Sequence, residues 1–217
     1  MAQPEDVSYY LSEQTVAVPS IGKRIASRLL FPVLIFLSRE QSLRLGVTPI
    51  DDERVIMALR NVDGKVLDVG CGSNVFVRSY GNGTGVDVFP WGGVDQVVED
   101  AARLPFGDGT YDTVSFLACL NHIPNREKAV QEAARVLRPK GKLLVTMIPP
   151  RLGAFIHWLR ERHDPDHKQR HIDHADELMG MSSKQIRTIL DQAGFDNVRR
   201  KPFVFGFNSL YVATKRT

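Results

Sequence analysis

The sequence predicts an α/β fold built on a doubly wound, mostly parallel sheet, and three observations carry that prediction. Val66, Leu67 and Val69 form a short apolar run of the kind shown by a strand buried on both faces. Gly70 and Gly72 follow at once, where a chain can turn sharply and let a ligand approach its backbone. From there to residue 148, strand-type and helix-type segments alternate, which is the pattern of parallel strands with crossover helices. Ligands in such sheets sit at the carboxyl ends of the strands. Asp68, Gly70, Asp87, Asp100 and the segment after Leu117 all fall there.

Asp87 stands nineteen residues after Asp68, in a second strand predicted over Thr84–Val88. A strand, a glycine turn and an acid about 20 residues on is the arrangement by which α/β proteins hold an adenosine ribose. A carboxylate suits that task because it accepts hydrogen bonds from both hydroxyls of a vicinal diol. The stretch is therefore read as the site of a nucleoside-type cofactor.

Composition sets the outer bounds. A chain of 217 residues suits one domain, or one with an appended lid, and 43% hydrophobic with 24% charged residues is ordinary for a soluble globular protein. The net charge of +3 is mild and spread out, so it does not argue for nucleic acid. Two cysteines, Cys71 and Cys119, exclude a disulfide framework. They would lie near the ends of adjacent strands, where buried inert thiols are expected rather than a regulatory disulfide. The acidic start lacks a signal-peptide pattern, and the longest apolar run, Leu29 to Leu37, is nine residues with Pro32 inside it. That run is too short to span a bilayer, so a cytoplasmic protein is expected.

The first 60 residues are read as an N-terminal helical cap, and residues 61–217 as the main domain. Residues 1–20 are polar, with Tyr9 and Tyr10 their only large side chains. In residues 21–45, Lys23, Arg24 and Arg28 interleave with Ile21, Ile25, Leu29 and Leu30 at helical spacing. The segment either packs on the domain or roofs its pocket, or makes a peripheral membrane contact through its basic amphipathic face. If it meets a bilayer, the wild-type protein co-sediments with anionic liposomes, and Lys23→Glu with Arg28→Glu abolishes this; no co-sedimentation by the wild type ends the idea.

Thr48 and Pro49 should open a helix carrying Val55, Ile56 and Leu59. Two turns of helix fit between Asn74 and Gly81, and Val94 to Val98 reads as a third strand. Leu104 to Gly109 is a loop, Tyr111 to Leu117 a fourth strand, and Asn125 the cap of a helix with Ala129, Val130, Ala133, Val136 and Leu137 on its buried stripe. Pro139-Lys140-Gly141 should stop that helix ahead of a fifth strand, Lys142 to Ile148. Residues 150–181 then interrupt the pattern as an expected lid insertion, with Leu152, Phe155, Ile156 and Leu159 on a helix. Five of the six histidines lie here, and His163, His167 and His171 recur every four residues as a metal site would need. No cysteine joins them and Asp164-Pro165 breaks the helix, so no metal is expected. Ser182 with Gln185 forms a capping box ahead of the last helix, with Ile186, Ile189, Leu190 and Ala193 on its stripe and Gly194 after it. Val198 to Phe205 and Phe207 to Thr214 read as closing strands.

Taken in order, Val-Leu-Asp-Val-Gly-Cys-Gly, Gly-Val-Asp, Glu-Asp-Ala-Ala-Arg-Leu-Pro-Phe, Tyr-Asp-Thr-Val, Asn-His-Ile-Pro and Ala-Arg-Val-Leu-Arg-Pro-Lys-Gly-Lys-Leu resemble the class I S-adenosylmethionine-dependent methyltransferases. The likeness covers about residues 60–150 and is nearest to the quinone, sterol and small-molecule branch. It implies a Rossmann-like sheet closed by an antiparallel strand pair, with S-adenosyl-L-methionine as cofactor. Asp68, Gly70, Cys71 (through its backbone) and Gly72 would surround the methionine portion. Asp87 would hold the ribose, Val88 would lie beside the adenine, and Asp100 with Ala101 would meet the adenine amino group. Leu117 and Ala118 would pass under the sulfonium, and Asn121 and His122 would face the substrate. The family's third glycine is replaced by Asn74, a residue that tolerates left-handed backbone angles.

Methyl transfer from a sulfonium is an in-line displacement in which the protein mainly positions the nucleophile. A base is needed only when the acceptor carries a proton, and His122 is the residue for that role. The expected function is methylation of a small-molecule or lipid-like acceptor. A non-catalytic cofactor-binding or partner module is the alternative. A nicotinamide oxidoreductase fits less well, because Gly70-Cys71-Gly72-Ser73-Asn74-Val75 lacks the third glycine and no Tyr-x-x-x-Lys pair occurs. Nucleic acid is not expected as a partner, since Asn121-His122-Ile123-Pro124 is not the motif of base-amino methyltransferases and no dense basic and aromatic groove appears.

Overall fold

The computed structural model describes residues 50–160 and 178–217, together with Gly22. The cap segments before residue 50 and the histidines His163, His167, His171 and His174 lie outside the described residues, as do the basic stretch 21–45 and the opening pair Thr48-Pro49.

Helix α1 (Ile50–Leu59) leads into strand β1 (Val66–Val69), helix α2 (Val75–Tyr80), strand β2 (Gly83–Asp87) and the two-residue strand β3 (Gln96–Val97). Strand β4 (Tyr111–Leu117), a short 3-10 turn (Leu120–His122), helix α3 (Arg126–Val136) and strand β5 (Leu137–Met147) follow. Helices α4 (Pro150–Arg160) and α5 (Ser183–Gln192) precede strands β6 (Phe195–Phe203) and β7 (Asn208–Lys215). These strands form one sheet in the order β3-β2-β1-β4-β5-β7-β6. The pairs from β3 to β5 are parallel, and β7 is antiparallel to both β5 and β6. The doubly wound sheet with an antiparallel closing pair is thus the observed fold.

Alternation along the strands divides the core between the two faces. Leu67, Val69, Leu143, Val145 and Met147 pack with Ala129 and Val130 of α3 and Ile186 and Leu190 of α5. Val66, Leu144 and Leu210 point the other way, onto Ala58 of α1 and Phe76 and Val77 of α2. Val66, Leu67 and Val69 of β1 and the Leu143–Met147 half of β5 are the near-continuous apolar runs that a sheet covered on both faces requires.

Several boundaries move for identifiable reasons. Helix α3 ends at Val136, not at Pro139, because Leu137 is already extended (φ −75°, ψ 140°) and Pro139 pushes the residue before it the same way. Strand β5 therefore starts at Leu137 rather than Lys142, with a register shift against β4 between Tyr111 and Thr113. Strand β3 is only Gln96–Val97, not Val94 to Val98. Strand β2 starts and ends one residue earlier than expected, leaving Val88 beyond it. The closing strands shift because Val204–Gly206 is a 3-10 turn with Val204 and Gly206 at positive φ. Asn125 does occupy the position before α3, but its side chain makes no capping bond. The capping box of Ser182 and Gln185 is present in both directions.

Candidate functional site

At the carboxyl edge of β1 the chain makes a left-handed turn through Gly70 (φ 71°), Gly72 (φ 53°) and Asn74 (φ 59°). Asn74 accepts the backbone angle that the missing third glycine would have taken. The backbone amides of Gly70 and Cys71 both donate to the Val86 carbonyl, at 2.8 and 3.0 Å. The Gly72 amide donates to Asp87 Oδ2 at 2.9 Å, and the Phe89 amide to Asp87 Oδ1 at 3.1 Å. Asp87 thereby joins the turn after β1 to the turn after β2, and each of its oxygens keeps a further lone pair for a ligand.

Glycine is required at position 70 for packing as well as for its angle: a Cβ there would stand 2.7 Å from the Cys119 Cβ. Gly72 differs, because a Cβ built on it would meet nothing within 4 Å. The loop is thus backed by protein at Gly70 and open at Gly72. Asn74 is fully buried and locks the loop from below. Its Nδ2 donates to the Gly93 carbonyl at 3.0 Å and to Asp95 Oδ2 at 2.8 Å, and Asp95 Oδ2 also accepts from the Gly85 amide at 2.8 Å. Gly85 must be glycine, since a Cβ would lie 2.0 Å from Asn74 Oδ1.

Asp68 is buried beneath this loop and accepts from Ser115 Oγ at 2.6 Å. The parallel register pairs Asp68 with Ser115 across β1 and β4. Burial raises the Asp68 carboxyl from 3.8 to about 7, the Ser115 bond works against that rise, and the nearby Asp87 charge adds to it. Burial and the surrounding carboxylates also push the Cys71 and Cys119 thiols up, which marks both as poorly reactive. Both cysteines are free, and Cys119 Sγ donates to the Val69 carbonyl at 2.9 Å.

The remaining residues singled out by sequence lie on the same edge. Val88 is 47% exposed just past β2. Asp100 is exposed after β3 and accepts from the Ala102 amide at 2.8 Å, while Ala101 is buried. Leu117 ends β4, and Ala118 after it adopts a left-handed φ of 57°. Asn121 is turned inward: its Nδ2 lies 2.9 Å from the Leu178 carbonyl and 3.1 Å from His122 Nε2. The Leu178 amide returns a bond to the Asn121 carbonyl at 3.0 Å. Asn121 therefore ties the segment after β4 to the chain entering α5. Sequence reasoning missed Ser115, Asp95 and this link to Leu178. Ser115 alone had a signal, as a polar residue in a buried strand beside a strand bearing Asp68.

The donor set fits an adenosyl sulfonium carrying an amino-acid end. Asp68 would offer a buried carboxyl to a cation and Asp87 acceptors to hydroxyls, and a Cβ on Gly72 would meet nothing within 4 Å. Among the described residues no group of histidine, cysteine and carboxylate side chains is arranged to hold a metal ion, and no helix is long and apolar enough to cross a membrane.

The sheet order, the glycine turn and the acid at the end of β2 define a nucleoside-cofactor-binding protein of the Rossmann-like class. The chain belongs to the S-adenosylmethionine-dependent methyltransferases, since the family described as a methyltransferase domain matches residues 48–200. It is 28% identical over 127 residues to a ubiquinone/menaquinone biosynthesis C-methyltransferase of Paraburkholderia phytofirmans, covering 54% of this chain and 52% of that protein. It is 48% identical over 52 residues to the demethylmenaquinone methyltransferase of Mycobacterium bovis, covering 24% of this chain and 22% of that protein. The chain thus spans about half, or less, of the curated relatives it matches. In structure it resembles an S-adenosylmethionine-dependent methyltransferase from Thermotoga maritima, with TM-score 0.56 and 18% identity over 76% of this chain and 91% of that one. It also resembles the methyltransferase CalH solved with S-adenosylhomocysteine, with TM-score 0.52 and 19% identity over 76% of this chain and 55% of that one.

The raised Asp68 carboxyl has a definite consequence for stability. The folded state keeps this proton between pH 3.8 and about 7, where the unfolded chain has lost it. The folded state then binds more protons, so stability falls as pH rises through that window. Relative to Asp68→Asn, the wild-type melting temperature should fall as the pH is raised from about 4 to about 7. Parallel melting curves for the two proteins would show instead that Asp68 ionises normally.

Proposed function

We propose that the protein transfers a methyl group from S-adenosyl-L-methionine to a small-molecule or lipid-like acceptor. The observation that carries this reading is the junction at Asp87, whose carboxylate receives the Gly72 amide and so sets the glycine turn beside a diol-binding acid. Membership of the methyltransferase domain family supports the reaction class. The quinone methyltransferases among the relatives support a small, apolar acceptor.

When bound, the cofactor would supply an electrophilic methyl on a sulfonium. The work of the chain is then placement. Asp68 would face the cationic amino-acid end, Gly70, Cys71 and Gly72 would offer backbone along it, and Asp87 would take the ribose hydroxyls. Val88, Asp100 and Ala101 would border the adenine, and Leu117 and Ala118 would floor the reacting centre. Such placement can contribute roughly 7–11 kcal/mol of barrier lowering without acid or base chemistry. Where the acceptor carries a proton at the attacking atom, His122 would take it. The Asn121 amide nitrogen lies 3.1 Å from His122 Nε2, and when it donates there it occupies the ring's one lone pair, so proton acceptance at this nitrogen would require that contact to open.

Two measurements test the reading. Calorimetric titration should show binding of S-adenosylmethionine and S-adenosylhomocysteine but not NADH, with affinity for both sulfur nucleosides lost in Asp87→Ala. Preference for NADH would replace the reading with hydride chemistry, and binding of none would favour a non-catalytic module. With a proton-bearing acceptor, His122→Gln should lower kcat about 100-fold while leaving cofactor affinity intact. An unchanged kcat would remove His122 from the chemistry.

A further inference from the structure

A cavity of about 210 Å³ lies beyond β4 from the cofactor loop, at β5, β7 and β6, lined by Met147, Pro149, Met181, Arg200, Ser209 and Tyr211 among others. Its place follows from the topology. Strands β5 and β6 are both antiparallel to β7 and hence parallel to each other, so α5, the helix before β6, starts at the carboxyl end of β5. The Met181 amide donates to the Ile148 carbonyl at 3.2 Å, which closes that end of the cavity against β5. Leu117 pairs with Thr146, so Met147 stands one position past the strand end where the methyl donor would lie.

The lining is amphipathic in a particular way. Met147 pairs with Ser209, and Tyr211 with Arg200, so their side chains share one face of the sheet. Arg200 Nε donates to Ser209 Oγ at 2.9 Å, which orients the guanidinium. Its terminal nitrogens bond to no described residue. Ser209 is 2% exposed, and its hydroxyl, already an acceptor from Arg200, has a proton left to donate. Tyr211 is 3% exposed and its hydroxyl likewise has no hydrogen-bond partner among the described residues. The hydroxyls of Ser209 and Tyr211 and the exposed but oriented Arg200 guanidinium, on a lining that also carries Ser182 and Ser183, together present donors suited to an oxygen anion.

We propose that this cavity binds the acceptor, and that Arg200, Ser209 and Tyr211 select one with an apolar body and a single anionic oxygen group, a carboxylate or phenolate. The inference rests on the methyltransferase reading and adds the chemical class of the substrate. Met147, Pro149 and Met181 hold the apolar body, and the anionic group marks its orientation relative to the β4 edge.

The test uses para-octylbenzoate and its neutral counterpart para-octylbenzamide, titrated calorimetrically into the full chain saturated with S-adenosylhomocysteine at neutral pH. The wild type should prefer the benzoate by roughly tenfold, as a charge-assisted hydrogen bond provides. Arg200→Gln should erase that preference while keeping affinity for the benzamide and for S-adenosylhomocysteine. Met147→Trp should weaken both probes by filling the cavity, again with S-adenosylhomocysteine affinity kept. Equal binding of the two probes by the wild type, binding of neither, or a preference that survives Arg200→Gln overturns the proposal. Failure of the wild type to bind S-adenosylhomocysteine overturns the cofactor reading instead, and the same titration on the ligand-free chain then decides the cavity on its own.

Discussion

The bond from the Gly72 amide to Asp87 is the constraint on which the rest of the site depends. A hydrogen bond to a charged acceptor contributes about 1.5–3 kcal/mol, and this one also fixes where a left-handed turn must lie. With Gly70 and Cys71 both donating to the Val86 carbonyl, the turn after β1 is pinned to β2 by three backbone amides. Helix α2 then returns the chain to the start of β2 in six residues. The pinned turn also gives Asn74 its use. A third glycine would meet the angle, but Asn74 meets it and reaches Gly93 and Asp95 besides, so the loop is fastened from beneath as well as from the side.

The same arrangement concentrates negative charge. Asp68 is buried, and the neighbouring Asp87 charge adds to the rise in its pKa. Removing carboxylates from water is unfavourable, and placing them together compounds the effect. Ser115 offsets only part of this for Asp68. A cationic ligand would relieve the remainder by favouring the ionised form, so cofactor binding and ionisation of Asp68 would be linked. The raised thiols of Cys71 and Cys119 follow from the same charges and the same burial. The two cysteines beside the proposed cofactor site are thereby kept in their unreactive protonated form.

How much of this was legible depends on the range of the interaction. Val66 to Val69, Tyr111 to Leu117 and the capping box at Ser182 are local patterns, and they emerged where the sequence places them. So did the fold, because apolar runs alternating with amphipathic segments leave few topologies. The errors arose where a nonlocal contact decides. β3 shrinks to Gln96–Val97 at the sheet's edge, and α3 stops at Val136 because β5 claims Leu137 for pairing with Tyr111. Asn125 has a capping residue's identity without its bond. Within the site, the glycines and Asp87 could be read from spacing, whereas Ser115 showed only as a polar residue in a buried strand and Asp95 not at all. Their partners, Asp68 and Asn74, lie 47 and 21 residues away, and only the register brings them together.

The register also separates the two halves of the sheet by task. In the parallel half, β1, β2 and β4 deliver their carboxyl ends to the edge proposed for the cofactor, and their geometry is bound up in the glycine turn. In the other half, β7 enters antiparallel between β5 and β6, so its first residues, not its last, arrive at that edge. Ser209 and Tyr211 therefore stand beside Met147 without any part in holding the turn. Substitutions along β6 and β7 can alter the cavity's size and polarity while the Asp87 junction stays intact. Effects at sites with no shared partners are close to additive. On this architecture, acceptor choice can vary independently of the methyl donor, and the inverted strand at the end of the chain is what makes that separation physical.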